Sequence, residues 1–171
     1  MDNLIEKADF LHFLVAAKRA TYASASDSAR VQPLLPGSFQ FEYSQGNWLY
    51  RDMYFGAGYF AGQEVVYWQE HPLWSMVYAG GLLEERPSQL PAIQINEFLK
   101  AALREVSVEL PYRGPGSFRN GDFAYRNEFM GNVERFTGVE RIYYFGTPVY
   151  ELMYNGGLVA DEVKLNDAGI G

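Results

Sequence analysis

The run Trp74-Ser75-Met76-Val77-Tyr78-Ala79-Gly80-Gly81-Leu82 is read again as Tyr150-Glu151-Leu152-Met153-Tyr154-Asn155-Gly156-Gly157-Leu158. Moving outward from it, Pro72 matches Pro148, Tyr67 matches Tyr143, Glu64 matches Glu140, Gly62 matches Gly138 and Phe60 matches Phe136. After one extra residue near Arg135, Gly56 falls on Gly131, Tyr50-Arg51 on Tyr125-Arg126, and Gly46 on Gly121. Further upstream, Pro36-Gly37-Ser38-Phe39 returns as Pro115-Gly116-Ser117-Phe118. Phe13-Leu14-x-Ala16-Ala17-x-Arg19 returns as Phe98-Leu99-x-Ala101-Ala102-x-Arg104. A bias towards Gly and Tyr yields scattered coincidences, not collinear blocks with one small gap. The pattern predicts a tandem duplication, with repeat one over about 3–83 and repeat two over about 91–159.

Each repeat reads as one helix followed by three strands. Apolar residues near helical spacing predict helices over about 3–20 and about 91–106, the second opening at Pro91, where a missing N–H costs nothing. Strands are predicted near 47–55, 64–69 and 73–79, and again near 122–130, 139–145 and 149–155. Gln69-Glu70-His71-Pro72 and Phe145-Gly146-Thr147-Pro148 read as hairpin turns, and Phe39–Tyr43 as an extra strand in the first copy alone. The linker Thr21–Ser38 is longer than its counterpart Leu110–Gly116, and the tail 160–171 reads as flexible. Three short strands and a helix cannot cover their own apolar face. The expected fold is therefore α+β: one domain over 1–171, antiparallel sheet or sheets, two helices on one side, and a pseudo-twofold axis.

Composition narrows the function classes. Tyr, Phe and Trp together make 16% of the chain, an excess that favours strands and also lines ligand pockets. A net charge of -7 opposes phosphate backbones and anionic headgroups, so neither direct nucleic-acid binding nor membrane-surface binding is expected. With no cysteine there is no disulfide and no thiolate zinc site. His12 and His71, the only histidines, lack metal spacing, so neither metal nor cofactor is expected. The N-terminus lacks a basic, long apolar leader and no run has transmembrane length, which predicts a cytoplasmic protein.

Strand alternation places Glu64, Val66, Trp68, Trp74, Met76 and Tyr78 on one face, matched by Glu140, Ile142, Tyr144, Tyr150, Leu152 and Tyr154. This face is apolar in both copies except for its glutamates. Two carboxylates at the mouth of an aromatic pocket suit acid–base chemistry or capture of a cation. The plainer alternative puts each glutamate at a strand end in water, paired with Arg51 or Arg126. Those arginines, beside Tyr50 and Tyr125, could instead clamp a ligand carboxylate. The candidate ligand-binding residues are therefore Glu64, Glu140, Arg51, Arg126, Tyr50, Tyr125, Trp68, Trp74, Tyr78, Tyr144, Tyr150 and Tyr154.

Tyr50-Arg51-Asp52, Glu64-Val65-Val66-Tyr67, Leu110-Pro111-Tyr112-Arg113-Gly114-Pro115, and the stretch from Glu140 through Leu158 resemble an uncharacterised bacterial domain family. The resemblance covers most of the chain after the first helix. Members occur alone or behind a helix-turn-helix module, which implies a ligand-sensing role. A single helix precedes the linker in this chain, so no DNA-binding module is expected with it.

The expectation that follows is a small-molecule-binding, sensor-like module with an aromatic pocket between the repeats, taking a small apolar or cationic ligand. An enzyme using paired glutamates with Tyr or Arg is one alternative. A structural or homo-oligomeric interaction protein is the other. Residues that differ between copies, Asp52 against Asn127 above all, mark where an asymmetric function could have grown.

Overall fold

A computed structural model describes residues 3–21, 28–160 and 163–167. In chain order the elements are β1 (Asn3–Glu6), α1 (Lys7–Ala20), β2 (Phe39–Gln45), β3 (Trp48–Gly56), β4 (Tyr59–Trp68) and β5 (His71–Leu82). They continue with α2 (Ala92–Leu103), β6 (Ser117–Asn120), β7 (Phe123–Asn132), β8 (Arg135–Tyr144), β9 (Thr147–Leu158) and β10 (Val163–Asn166). Strands β2 to β9 form one antiparallel sheet in the order β2-β3-β4-β5-β9-β8-β7-β6. The class is α+β, mostly antiparallel sheet with two helices.

The two four-strand meanders meet along β5 and β9. There Tyr78 pairs with Tyr154, Trp74 with Leu158 and Leu82 with Tyr150. Both meanders carry a register shift at the same relative place, between Val66 and Tyr67 and between Ile142 and Tyr143. The β4–β5 turn puts Gln69 and Glu70 at φ 48 and 68, and the β8–β9 turn puts Phe145 and Gly146 at φ 47 and 82. Two successive left-handed residues give the turn whose twist matches an antiparallel hairpin.

Alternation sends Tyr50, Asp52, Glu64, Val66, Trp74, Met76 and Tyr78 to a buried face, with Tyr125, Asn127, Glu140, Ile142, Tyr150, Leu152 and Tyr154 in the other meander. Both helices lie on that face. Phe10 of α1 meets Trp48 and Trp74, and Phe98 of α2 meets Phe118 and Phe123. Full burial of such a ring contributes roughly 1.5–3 kcal/mol. The opposite face is open, with Val77 and Met153 exposed.

Three features depart from the sequence expectation. Residues 3–6 are not the first turn of a helix but strand β1, paired in parallel with β10. A four-residue strand has too few residues to separate from the helical pattern that follows it. Strand β10 falls inside the predicted tail; residues 161–162 and 168–171 of that tail, like 22–27 of the first linker, lie outside the described residues. The second half also has an edge strand, β6, where one was predicted only for the first.

Candidate functional site

The buried face holds an unusual set of polar groups. Among the described residues, the buried charged side chains are Lys18, Arg113, Asp52, Glu64 and Glu140. Lys18 arrives because α1 presents Phe10, Phe13, Leu14, Ala17 and Lys18 as one stripe, and the last member of that apolar stripe is charged. Its Nζ donates to Glu64 Oε2 and to the Tyr112 carbonyl, both at 2.6 Å. Burial pulls the Lys18 ammonium below its ordinary pKa, and the adjacent Glu64 carboxylate opposes that. Glu64 Oε1 accepts no hydrogen bond among the described residues.

Glu140 has a different cation. Arg113, in the loop after α2, donates from Nε and Nη2 to Glu140 Oε1 at 3.1 and 2.7 Å. Tyr150 donates to the same oxygen at 2.9 Å, and Tyr125 donates to Oε2 at 2.6 Å. Burial, then the Glu140 charge, pushes both phenols well above their ordinary pKa. Each glutamate is thus wholly enclosed and held by a cation from outside the sheet. Removing either partner of such a pair strands a charge in the interior, which costs about 3–5 kcal/mol.

Tyr78 and Tyr154 extend the network sideways. Each pairs across the sheet with a glycine, Gly62 and Gly138, where a Cβ would come within 2.5 and 2.4 Å of the tyrosine hydroxyl. The rings cross those glycines and reach the next strand. Tyr78 donates to Asp52 Oδ1 and Tyr154 to Asn127 Oδ1, both at 2.6 Å. Asp52 also stands opposite Glu64 in the β3–β4 register. Burial, and next the Glu64 charge, raise the Asp52 pKa to about 7 against the opposing pull of Tyr78, Arg113 and Lys18.

Asp52 lies on the floor of a cavity of about 390 Å³. Tyr54, Phe60 and Tyr78 of the first meander line one side. Leu99 and Leu103 of α2, with Arg113, line the other. Arg30 and Lys100, both exposed, stand at the rim. Larger grooves of about 550 and 880 Å³ lie elsewhere, one by His12 and Trp68 and one on the outer face by Val77 and Met130. Neither is lined by any of the buried charged side chains, so of these three the cavity at Asp52 is the one with chemistry. No group of three or more His, Cys, Asp or Glu able to hold a metal occurs among the described residues.

The residues singled out from sequence divide sharply. Glu64, Glu140, Tyr78, Tyr125, Tyr150 and Tyr154 belong to the network, and Tyr50 and Trp74 are buried beside it. Trp74 donates its indole N–H to the Val133 carbonyl at 2.9 Å. Arg51 does not pair with Glu64: it is on the outer face, bonded to Glu42 at 2.7 Å. Arg126 does not pair with Glu140: it is exposed and stands opposite Arg141. Alternation is the reason, since each arginine follows an inward tyrosine and must point out. Trp68 packs on Trp48, and Tyr144 on Phe123 and Phe145, away from the charges.

Sequence reading passed over Lys18, and it quoted Tyr112, Arg113 and Asp52 within the motifs of the family resemblance without placing any of them among the candidate site residues. Lys18 left a signal, a cation at the fifth place of an apolar helix stripe. Arg113 left none, because a loop bounded by Pro111 and Pro115 has no periodicity to violate.

Comparison with protein families finds one whose description is Domain of unknown function (DUF5680), matching residues 52–159. No curated protein and no solved structure matches the chain. No helix among the described residues is long and apolar enough to cross a membrane.

Proposed function

The chain belongs to the family Domain of unknown function (DUF5680), and we propose that it is a small-molecule-binding, sensor-like module whose ligand enters the cavity at Asp52. One observation carries this reading: a concave, aromatic-lined space ends on a carboxylate that is 2% exposed and titrates near neutrality. The cavity also draws its walls from both halves, so a ligand there would tie α2 to the first meander. Such a contact is what a sensor requires.

We further infer that the two halves arose by duplication and are related by a twofold axis through the Tyr78–Tyr154 pair. The exchange of partners at the seam supports it: Trp74 pairs with the counterpart of Leu82, and Leu82 with the counterpart of Trp74. An enzyme built on Glu64 and Glu140 asks both to meet a substrate. Their complete burial, each against its own cation, favours binding instead.

The test is a thermal-shift screen of a broad small-molecule library on the wild type and on Asn96→Trp, which places an indole in the cavity from α2. Ligands are expected to raise Tm in the wild type and to lose that effect in the variant. A library that shifts nothing, or shifts both proteins alike, refutes the assignment. The exposed Val77, Met130 and Met153 on the outer face favour a second reading, self-association through that face. Light scattering coupled to size exclusion decides it, since a strict monomer at high concentration would rule it out.

A further inference from the structure

One wall of the cavity at Asp52 is a ladder of rings that runs from solvent to the buried carboxylate. At its outer end the Arg30 guanidinium lies over the Phe39 ring, 4.8 Å from the centroid. Phe39 stacks on Tyr54 at 5.2 Å. Tyr54 meets Phe60, and Phe60 meets Tyr78, each edge-on at 6.2 Å. Tyr78 closes the ladder by donating to Asp52 at 2.6 Å. The chain around Arg30 is pinned to β2. The Glu42 N–H donates to the Ala29 carbonyl at 2.9 Å, and the Val31 N–H to the Gln40 carbonyl at 3.0 Å. The outermost cation is therefore placed by the sheet and by a ring.

The facing wall is α2. Its residues Ile93, Asn96, Lys100 and Leu103 all line the cavity, and their spacing puts them on one stripe of the helix. Ile95, Phe98 and Ala102 lie on another side and are buried, Phe98 against the rings of Phe118 and Phe123. One side of α2 thus closes the second half, and the other is turned to the cavity, where Ile93 is 60% exposed.

Charge decides the class of guest. The chain has 21 acidic and 14 basic side chains. The described residues of the lining reverse that balance, with Arg30, Lys100 and Arg113 against the single carboxylate of Asp52. Arg113 is paired with Glu140 at 2.7 Å, and Asp52 carries a proton below about pH 7. Below that pH the charge left in the lining is positive and stands at the rim, on Arg30 and Lys100. An ammonium group would be repelled there. A carboxylate would meet a planar guanidinium fork and a second cation.

We propose that the cavity binds small amphipathic carboxylates, the carboxylate held at the rim by Arg30 and Lys100 and an apolar or aromatic body lying between the ring ladder and α2. This assignment rests on the reading of the cavity as the functional site. Rim charges are in contact with water, so the head group contributes modestly and selects the sign of the guest. The body supplies most of the affinity by leaving water for the rings, Leu99 and Leu103.

Isothermal titration at about pH 6 with phenylacetate, phenethyl alcohol and phenethylamine separates body from charge. The proteins are the wild type, Arg30→Gln combined with Lys100→Gln, and Arg119→Gln. Arg119 is an exposed cation on β6 outside the lining, and its variant controls for a general loss of surface charge. Circular dichroism checks that each variant is folded. Phenylacetate is expected to bind the wild type best and the amine worst. The double variant should weaken phenylacetate roughly tenfold, to the level of the alcohol, and Arg119→Gln should leave it unchanged. The alcohol or the amine binding as tightly as the acid overturns the proposal. So does acid binding that is indifferent to the double variant, or that falls equally in Arg119→Gln. If phenylacetate fails to bind while other compounds shift the wild type and not Asn96→Trp, the ligand class falls and the cavity reading stands. If nothing binds at all, both fall.

Discussion

Asp52 is a buried carboxylate whose neighbours do not offset the cost of its burial. A carboxylate raised to about 7 keeps its proton in the folded chain at pH values where the unfolded chain has released it. The stabilising effect of that proton is complete below the unfolded pKa of about 4 and is lost as pH rises through the folded value. Relative to a chain without this group, stability should decline between those limits by on the order of 3–4 kcal/mol and then level off. Asp52→Asn removes the titration, so the difference between variant and wild type in denaturant melts should grow in the variant's favour from pH 4 to 8. Parallel curves would show that Asp52 titrates normally. The sequence displayed Asp52 on the correct face, as the acidic member of a pair with Asn127. It could not display the burial, because that comes from Arg113, Lys18 and α2, which alternation along β3 says nothing about.

Strands and helices were largely readable because each is specified by its own period. The inward face of β3 to β5 and of β7 to β9 follows from alternation alone, and each meander checks the assignment in the other. The elements that escaped are short: β1, β6 and β10, with four residues each; the loop 110–116 was legible as a linker, but its contacts were not. That loop is nonetheless a structural part of the second half. It supplies Arg113 to Glu140, the Gly114 N–H to the Tyr125 hydroxyl at 3.0 Å, and the Tyr112 ring to a seat of three aromatics. Tyr112 is 3% exposed, so Tyr112→Ala should cost about 3–5 kcal/mol, the usual range for deleting a buried ring. The space left is apolar and ring-sized, of the kind that takes up small aromatics. Added p-cresol should therefore raise the Tm of Tyr112→Ala more than that of the wild type. Equal shifts would mean that the seat collapses without its tyrosine, and that three rings do not by themselves define a binding site.

At the level of the whole chain the question is whether two similar meanders behave as one body. Repetition in sequence is compatible with two independent units, and nothing in either half names β5 and β9 as the joint. The structure joins them by a continuous ladder from Trp74–Leu158 to Leu82–Tyr150. The contacts across the joint are not confined to backbone. Trp74 of β5 stacks on Phe136 of β8 at 5.6 Å and donates to the Val133 carbonyl. Lys18 of α1 binds the Tyr112 carbonyl, and Arg19 binds the Val106 carbonyl at 2.6 Å. Losing one half would expose Trp74, break the Lys18 site and leave Arg113 facing Glu140 without its cover. The two halves should therefore unfold together. All three tryptophans, Trp48, Trp68 and Trp74, lie in the first half, whereas the strands that dominate far-UV circular dichroism are shared between both. Guanidinium melts followed by tryptophan fluorescence and by circular dichroism should then superimpose, with one midpoint and one slope. A fluorescence transition displaced from the dichroism transition would show that the first meander can open alone. The cavity at Asp52, whose walls come from both halves, would then be a hinge rather than a fixed site.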